Sequence, residues 1–338
     1  MNTVLQFSRI LFPGCLATLL AAPTRAQNYT IPVAVHVLWT APFQNISDAQ
    51  VTSGLDALNT GFNSLYYAPV DPPYDALAAN MEIEFCLAST APDGSPTTGI
   101  DRIETPLANQ GGSPASYLNQ WPPDRYLNIW TIGSYIDSAY HTTFSPSEAE
   151  ANPGEDGIML LHDYMGTIGT SAMWHATAVI FHTGRYLDLK LLWQDPIEPG
   201  QWPCGDDGVA DTPVCKLFLD CSTTPDGCAG NAPLMVENYM CYSNCTRMFT
   251  QGQKDRVYAA LNSPVAQRNN LWTASNLALT GCGPMAVEEA QELTMAVETL
   301  PATGLWNLRF PGEGMYRVAA CDVTGRVGGS WHAKGTVF

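Results

Sequence analysis

Residues 29–41, YTIPVAVHVLWTA, alternate apolar positions with others and are rich in valine, which predicts a β-strand. The period then changes. In SDAQVTSGLDALNTGFNSLY, Val51, Leu55, Leu58 and Phe62 recur at helical spacing behind Ser47, a side chain suited to an N-cap. MEIEFCLAS, RYLNIWTIG and DGIMLLHDYMG predict three more strands, and residues 174–191 predict a long amphipathic helix. FTQGQKDRVYAALNS predicts a last helix capped by Thr250, and LWTASNLALTGCG closes the domain. Between the two later helices, residues 194–236 are dense in Gly, Pro, Asp and Cys. A loop of that length is usually stapled, ion-bound or functional. A linker at 286–299 precedes LWNLRF, MYRVAACDVTG and WHAKGTVF, which predict the short strands of a small β module over 300–338.

Charge narrows the picture. The chain of 338 residues holds 15 Lys+Arg against 32 Asp+Glu, a formal net charge of −17. Such an acidic surface argues against nucleic acid or an anionic membrane as partner. MNTVLQFSR, then ILFPGCLATLLAA, then PTRAQ has the order of a secretory signal over residues 1–26. Its apolar run is too short to span a bilayer, and no later segment predicts membrane insertion. The mature chain is expected to be secreted or held at the cell surface. Six of the ten cysteines fall between Cys204 and Cys245 without a CxxC pair, which favours disulfides over a thiolate metal site.

The stretch IFHTGRYLDLKLLW, residues 180–193, has the length, the apolar face and the closing Trp of a zinc-protease helix. With ISDAQVTSGLDALNTGFN, the strand-like segments IEFCLASTAPDGSPTTGIDRI and PDRYLNIW, CGDDGVADTP and ENYMCYSNCTRMFTQGQKDRV in the same order, residues 29–282 resemble the pappalysin and cytophagalysin family of metzincin metalloproteases. The resemblance implies an α+β metzincin-like domain over 27–285: a twisted mixed sheet, two long helices and a Cys-rich C-terminal subdomain, followed by a small β-sandwich-like tail. LPATGLWNLRFPGEGMYRVAACDVTGRV further resembles the sorting module of type IX secretion substrates, in a shortened form.

The family's chemistry sits on HExxHxxGxxH, in which two His one turn apart and a third beyond a Gly chelate zinc while Glu acts as general base. Alignment on TGRYLDLKLLW puts Phe181, Arg185 and Leu191 at the three ligand positions, His182 at the Glu and Asp188 at the Gly. Phenyl and isobutyl groups offer no lone pair, and guanidinium is a permanent cation. The family's zinc is therefore expected to be absent here. His175 lies seven residues from His182, roughly 10 Å along a helix, too far for one ion. His141 and His162 come from other segments and could approach.

Other family features persist in the sequence. Met240 stands at the position of the Met-turn, and Tyr242 at that of the tyrosine that steadies the tetrahedral intermediate. Family disulfides imply Cys204–Cys228 and Cys221–Cys245. Cys215–Cys241 and Cys86–Cys282 are offered as further bridges, with the pairing of these four and of Cys321 left open. Asp206, Asp207 and Asp211 supply hard oxygen donors in a Gly-rich loop and are candidate calcium ligands, against the alternative of a solvated acidic loop. Three functions compete: a pseudopeptidase whose cleft binds a peptide or protein, an active zinc endopeptidase with a rebuilt metal site, and an inert secreted structural or adhesive protein.

Overall fold

The structure is a computed structural model. It describes residues 29–63, 69–136, 143–193 and 203–283 with their side chains, and four C-terminal strands as backbone. The proposed signal segment and His141 lie outside the described residues.

Strand β1 (Tyr29–Trp39) is the centre of the main sheet. Its first half pairs in parallel with β2 (Ile83–Leu87), and its second half with β3 (Ile100–Glu104). On the other edge it pairs in parallel with β4 (Leu127–Ile132), which pairs with β5 (Ile158–Leu161). A strand covered on both faces is buried along its whole length, and only Thr30 and Trp39 of β1 reach intermediate exposure. The outer edge of β5 meets Thr143 in an isolated antiparallel bridge, the one departure from parallel pairing in this sheet among the described residues.

The first predicted helix is α1 (Asp48–Phe62), and Ser47 caps it by accepting the Gln50 N–H. Val51, Leu55, Leu58 and Phe62 are all buried against the sheet. Asn59 of α1 and its C-cap residue Asn63 do the work of a missing strand. The Asn59 amide donates to Phe85 O and accepts from Phe85 N, at 2.9 and 2.7 Å, and Asn63 donates to Ile83 O at 2.9 Å. The free edge of β2 is thereby closed to further pairing.

A short helix α2 (Pro146–Ala151) precedes β5. The predicted helix over 174–191 is shorter than its sequence suggests. A 3₁₀ turn at Met173–Ala176 leads into α3 (Thr177–Tyr186), which ends where Asp188 takes a left-handed φ of 73°. The apolar period continues past this break because Leu187, Leu189, Leu191 and Leu192 all enter the core, now from a reversed chain. Helix α3 packs on α1, where a Cβ on Gly61 would come within 2.5 Å of Ile180.

Beyond the loop region, α4 (Gln251–Leu261) starts at Thr250, as the sequence predicts, with Gln253 completing a capping box. That helix is not the last, as the sequence predicts it to be: α5 (Arg268–Leu271) and α6 (Ala274–Thr280) follow, each too short to show a helical period. Arg268 of α5 is fully buried and forms a two-pronged pair with Asp156 at 2.6 and 2.7 Å, its guanidinium 3.7 Å from the centre of the Tyr186 ring. That cluster ties α5, the entry to β5 and the end of α3 together.

Disulfides join Cys86–Cys282, Cys204–Cys228 and Cys221–Cys245, with Cα separations of 5.9, 5.7 and 5.9 Å. The expected Cys215–Cys241 bridge is absent and both residues are buried thiols. The Cys241 sulfur turns instead to Asn238 O at 3.0 Å and Ser243 Oγ at 3.3 Å. Burial pushes the Cys215 thiol up to about 12 and that of Cys241 to about 11.

In the tail, β6 (Ala296–Leu300) pairs antiparallel with β7 (Leu305–Arg309), and β8 (Gly314–Cys321) with β9 (Val327–Gly335). Three of these strands fall where the sequence predicts them. β6 begins inside the segment read as a linker, because TMAVETL carries strand residues that its acidic flank masks.

Candidate functional site

The last two turns of α3, the reversal after it and the turn at residues 238–241 meet in one place. Gly184 brings α3 onto Met240, where a Cβ would stand 2.7 Å from the Met240 sulfur. Met240 is fully buried. Its turn is held by Met240 N donating to Asn238 Oδ1 at 2.9 Å, and Leu192 N donates to Met240 O at 3.2 Å. The turn and the chain leaving α3 are therefore fixed to each other by backbone.

The residue that reverses the chain after α3 is Asp188, the position aligned with the family's Gly. Left-handed backbone costs a residue with a Cβ roughly 1–2 kcal/mol, and Asp and Asn tolerate it best after Gly. Arg256 of α4 grips this turn twice, donating to Asp188 O at 2.6 Å and pairing with its carboxylate at 2.9 Å. The pair is partly exposed and adds little by itself. Asp188→Gly should therefore stay within about 0.5 kcal/mol of the native stability, whereas Asp188→Val should lose about 2 kcal/mol. Thermal melts of the two variants check this, and equal losses would contradict it.

Phe181 and His182 lie on the partly exposed face of α3. The Phe181 ring packs 5.0 Å edge-on from the His182 ring and 5.5 Å from that of Tyr242, centre to centre. Trp193 stands 5.1 Å from Tyr242 on its other flank, with Phe218 beyond at 5.8 Å. Tyr242 keeps 47% of its surface exposed, so this aromatic group opens to solvent. Arg185 is partly buried one turn along from Phe181. Leu191 is 5% exposed and belongs to the main core.

His182 Nδ1 lies 3.0 Å from Thr143 Oγ1. Burial, with the Arg185 charge adding to it, pushes this imidazole down to about 3. The unfolded chain takes up the proton near pH 6.5, the folded chain only near 3. Throughout that window the unfolded state binds more protons, so stability falls as pH falls. The slope is at most about 1.4 kcal/mol per pH unit, and smaller because the residue retains some contact with water. His182→Gln should flatten the dependence of melting temperature on pH between about 6 and 4. Parallel curves for the two proteins would exclude a buried neutral imidazole.

The other described histidines of this half are engaged elsewhere. His175 Nδ1 is 2.7 Å from Asp163 O, with its ring stacked on Tyr164 at 4.2 Å. His162 Nδ1 is 3.1 Å from Thr170 Oγ1. Among the described residues, no three His, Cys, Asp or Glu side chains gather in a way that could hold a metal ion. The loop aspartates serve separate turns. Asp206 accepts from Gly208 N, and Asp211 accepts from Thr250 Oγ1 and Gly252 N at the start of α4. Asp207 is 1% exposed and accepts from Val209 N and Thr212 Oγ1 through one oxygen. Its second oxygen is buried without a hydrogen-bond partner among the described residues, and burial holds the carboxyl above its ordinary range.

Thr143 and the Asp188–Arg256 contact were not singled out in the sequence, and Trp193 was read only as the closing residue of the helix motif, not as a neighbour of Tyr242. Thr143 reaches the site from a segment with no local signature, and Arg256 lies 68 residues from Asp188. Only the fold could bring them in.

Comparison with known proteins bears on the same region. Residues 115–262 match the family described as pregnancy-associated plasma protein-A. An extracellular metalloprotease of Arthroderma benhamiae is 24% identical over 237 residues, covering 68% of this chain and 76% of that one. Another, from Uncinocarpus reesii, is 38% identical over 72 residues, covering 19% of this chain and 27% of that one. The structure is similar to mature mirolysin of Tannerella forsythia in complex with a cleaved peptide, with a TM-score of 0.67 and 28% identity over 76% of this chain and 99% of that one.

Proposed function

Starting from a chain that carries a pappalysin-family metallopeptidase domain with the metzincin fold of mirolysin, we propose that this protein is a non-catalytic member, a pseudopeptidase whose cleft still binds peptide. The single observation that carries the reading is the make-up of the helix at the site. Phe181, Arg185 and Leu191 hold the three positions aligned with zinc ligands, and none of them has a lone pair to give. These residues do not fit zinc. Phe181 is packed between His182 and Tyr242, and Leu191 is sunk in the core, so apolar groups fill space that ligands and metal would need. Burying Leu191 contributes about 1.5–3 kcal/mol to stability, and the partly exposed Phe181 contributes less. His182 is neutral and has no carboxylate to polarise a water.

Support for the alignment comes from the frame around it. Asp188 bends the chain at the Gly position, Met240 lies under α3 as a Met-turn residue would, and Tyr242 faces the same opening. The aromatic floor of Phe181, Tyr242 and Trp193 offers apolar, sequence-tolerant contacts to an extended peptide. Mirolysin's complex with a cleaved peptide supports a peptide rather than another ligand class. Calcium is not part of the proposal: among the described residues Asp206, Asp207 and Asp211 accept hydrogen bonds in separate turns and do not gather into a cation site. The relatives' extracellular character and the order of residues 1–26 support export, and the tail's likeness to type IX sorting modules supports that route. No described helix is long and apolar enough to cross a membrane.

The test has three arms on the purified chain. Casein should remain uncut with or without added zinc, and a peptide-library pull-down should retain peptides. Melting temperature should be unchanged by a zinc-selective chelator. Casein cleavage that a zinc chelator abolishes would favour the rebuilt metal site, and an empty pull-down would favour an inert scaffold.

A further inference from the structure

A cavity of about 150 Å³ sits between the loop Asp71–Tyr74 and the segments 234–237 and 245–248, with the Cys221–Cys245 disulfide in its wall. Its walls are braced by backbone. Tyr74 OH donates to Pro233 O at 2.6 Å, and both Arg247 N and Met248 N donate to Glu237 O at 2.7 and 2.9 Å. The lining is mostly apolar, from Pro73, Tyr74, Leu234 and Met248 among others. An apolar void of this volume is the size that accepts one six-membered ring.

Its charges give the ring a partner. Glu237 pairs with Arg247 at 2.6 Å and takes the Asp71 N–H at 2.8 Å through its other oxygen. The guanidinium is thereby matched within the wall. Asp71 is a second carboxylate, 4.0 Å from Arg247 and with 77% of its side chain exposed, so the rim carries one more negative charge than positive. A cation therefore gains at the rim and an anion is repelled.

We infer that this cavity binds a small aromatic ammonium ion, with the ring against Tyr74, Leu234 and Met248 and the ammonium beside Asp71. The site is separate from the aromatic opening at Tyr242: its lining includes neither Phe181 nor Tyr242.

Titrating the full chain with benzylammonium, benzyl alcohol and benzoate, read by the methyl NMR signals of Met235 and Met248, tests this. Benzylammonium should shift both signals with a dissociation constant of about 1 mM. Benzyl alcohol should bind more weakly and benzoate not measurably. Asp71→Asn, a change at an exposed side chain, should weaken benzylammonium about threefold and leave benzyl alcohol unchanged. Unshifted signals at about ten times that benzylammonium concentration would overturn the site. Equal binding of benzoate, or an unchanged benzylammonium affinity in Asp71→Asn, would overturn its preference for a cation.

Discussion

Replacing Asp156 by alanine is expected to lower the unfolding free energy by about 3–5 kcal/mol. Asp156 is 3% exposed and Arg268 is fully buried, so the substitution strands a guanidinium that water cannot reach. Arg268 cannot shed its proton to escape the cost. The Tyr186 ring at 3.7 Å offers a cation–π contact, worth far less than the lost pair. The damage should spread, because the cluster holds α5 and the end of α3 to the strand entry at Gly157–Ile158. Urea unfolding of Asp156→Ala checks the magnitude. Replacing both partners, as in Asp156→Leu with Arg268→Met, should cost much less than the single change, since no charge is then left in the core. A single-variant loss under about 1 kcal/mol would mean that the guanidinium reaches solvent.

A second large effect is expected from writing the family motif back. The quadruple variant Phe181→His, His182→Glu, Arg185→His, Leu191→His should acquire stoichiometric zinc, because the bend at Asp188 and the turn under Gly184 are already in place. Without metal it should be less stable than the natural chain by about 2–5 kcal/mol, since Leu191 leaves the core for a polar group. Zinc should then return much of that stability by binding only the folded state. Metal content and melts with and without zinc check both halves. A variant that folds yet takes up no zinc would show that the register assigned to α3 is wrong.

The parts of this fold that could be read from sequence are those where one local rule decides. The caps at Ser47 and Thr250 lie beside clear periodic runs, and both helices start there. β1 and α1 have patterns with a single period, and both form as expected. The end of α3 was misjudged because leucines at 187, 189, 191 and 192 keep feeding the core after the chain has turned. Apolar periodicity reports burial, and burial continues across a bend. Periodicity does not pick out β3, because IDRIE has only two apolar residues and is held by pairing with β1; only the family resemblance of the segment ending in GIDRI points to a strand there. Helices α5 and α6 are too short for a periodic signal.

The candidate site was legible in its chemistry and less so in its company. Which residues stand on α3 is a matter of sequence alone. That Phe181 rests on Tyr242, that Thr143 meets His182, and that Arg256 grips Asp188 depends on long-range packing. The two free cysteines among the described residues make the same point: Cys215 and Cys241 are both extras to the family pattern, and counting suggested a bridge. The direction of the Cys241 sulfur toward Asn238 O is set by its turn, which the count cannot see.

Elemental analysis of the purified natural chain for zinc bears most directly on the emptied site. The expected result is no stoichiometric zinc, before or after dialysis against the metal. Close to one zinc per chain, removed by a chelator together with a large part of the thermal stability, would contradict it.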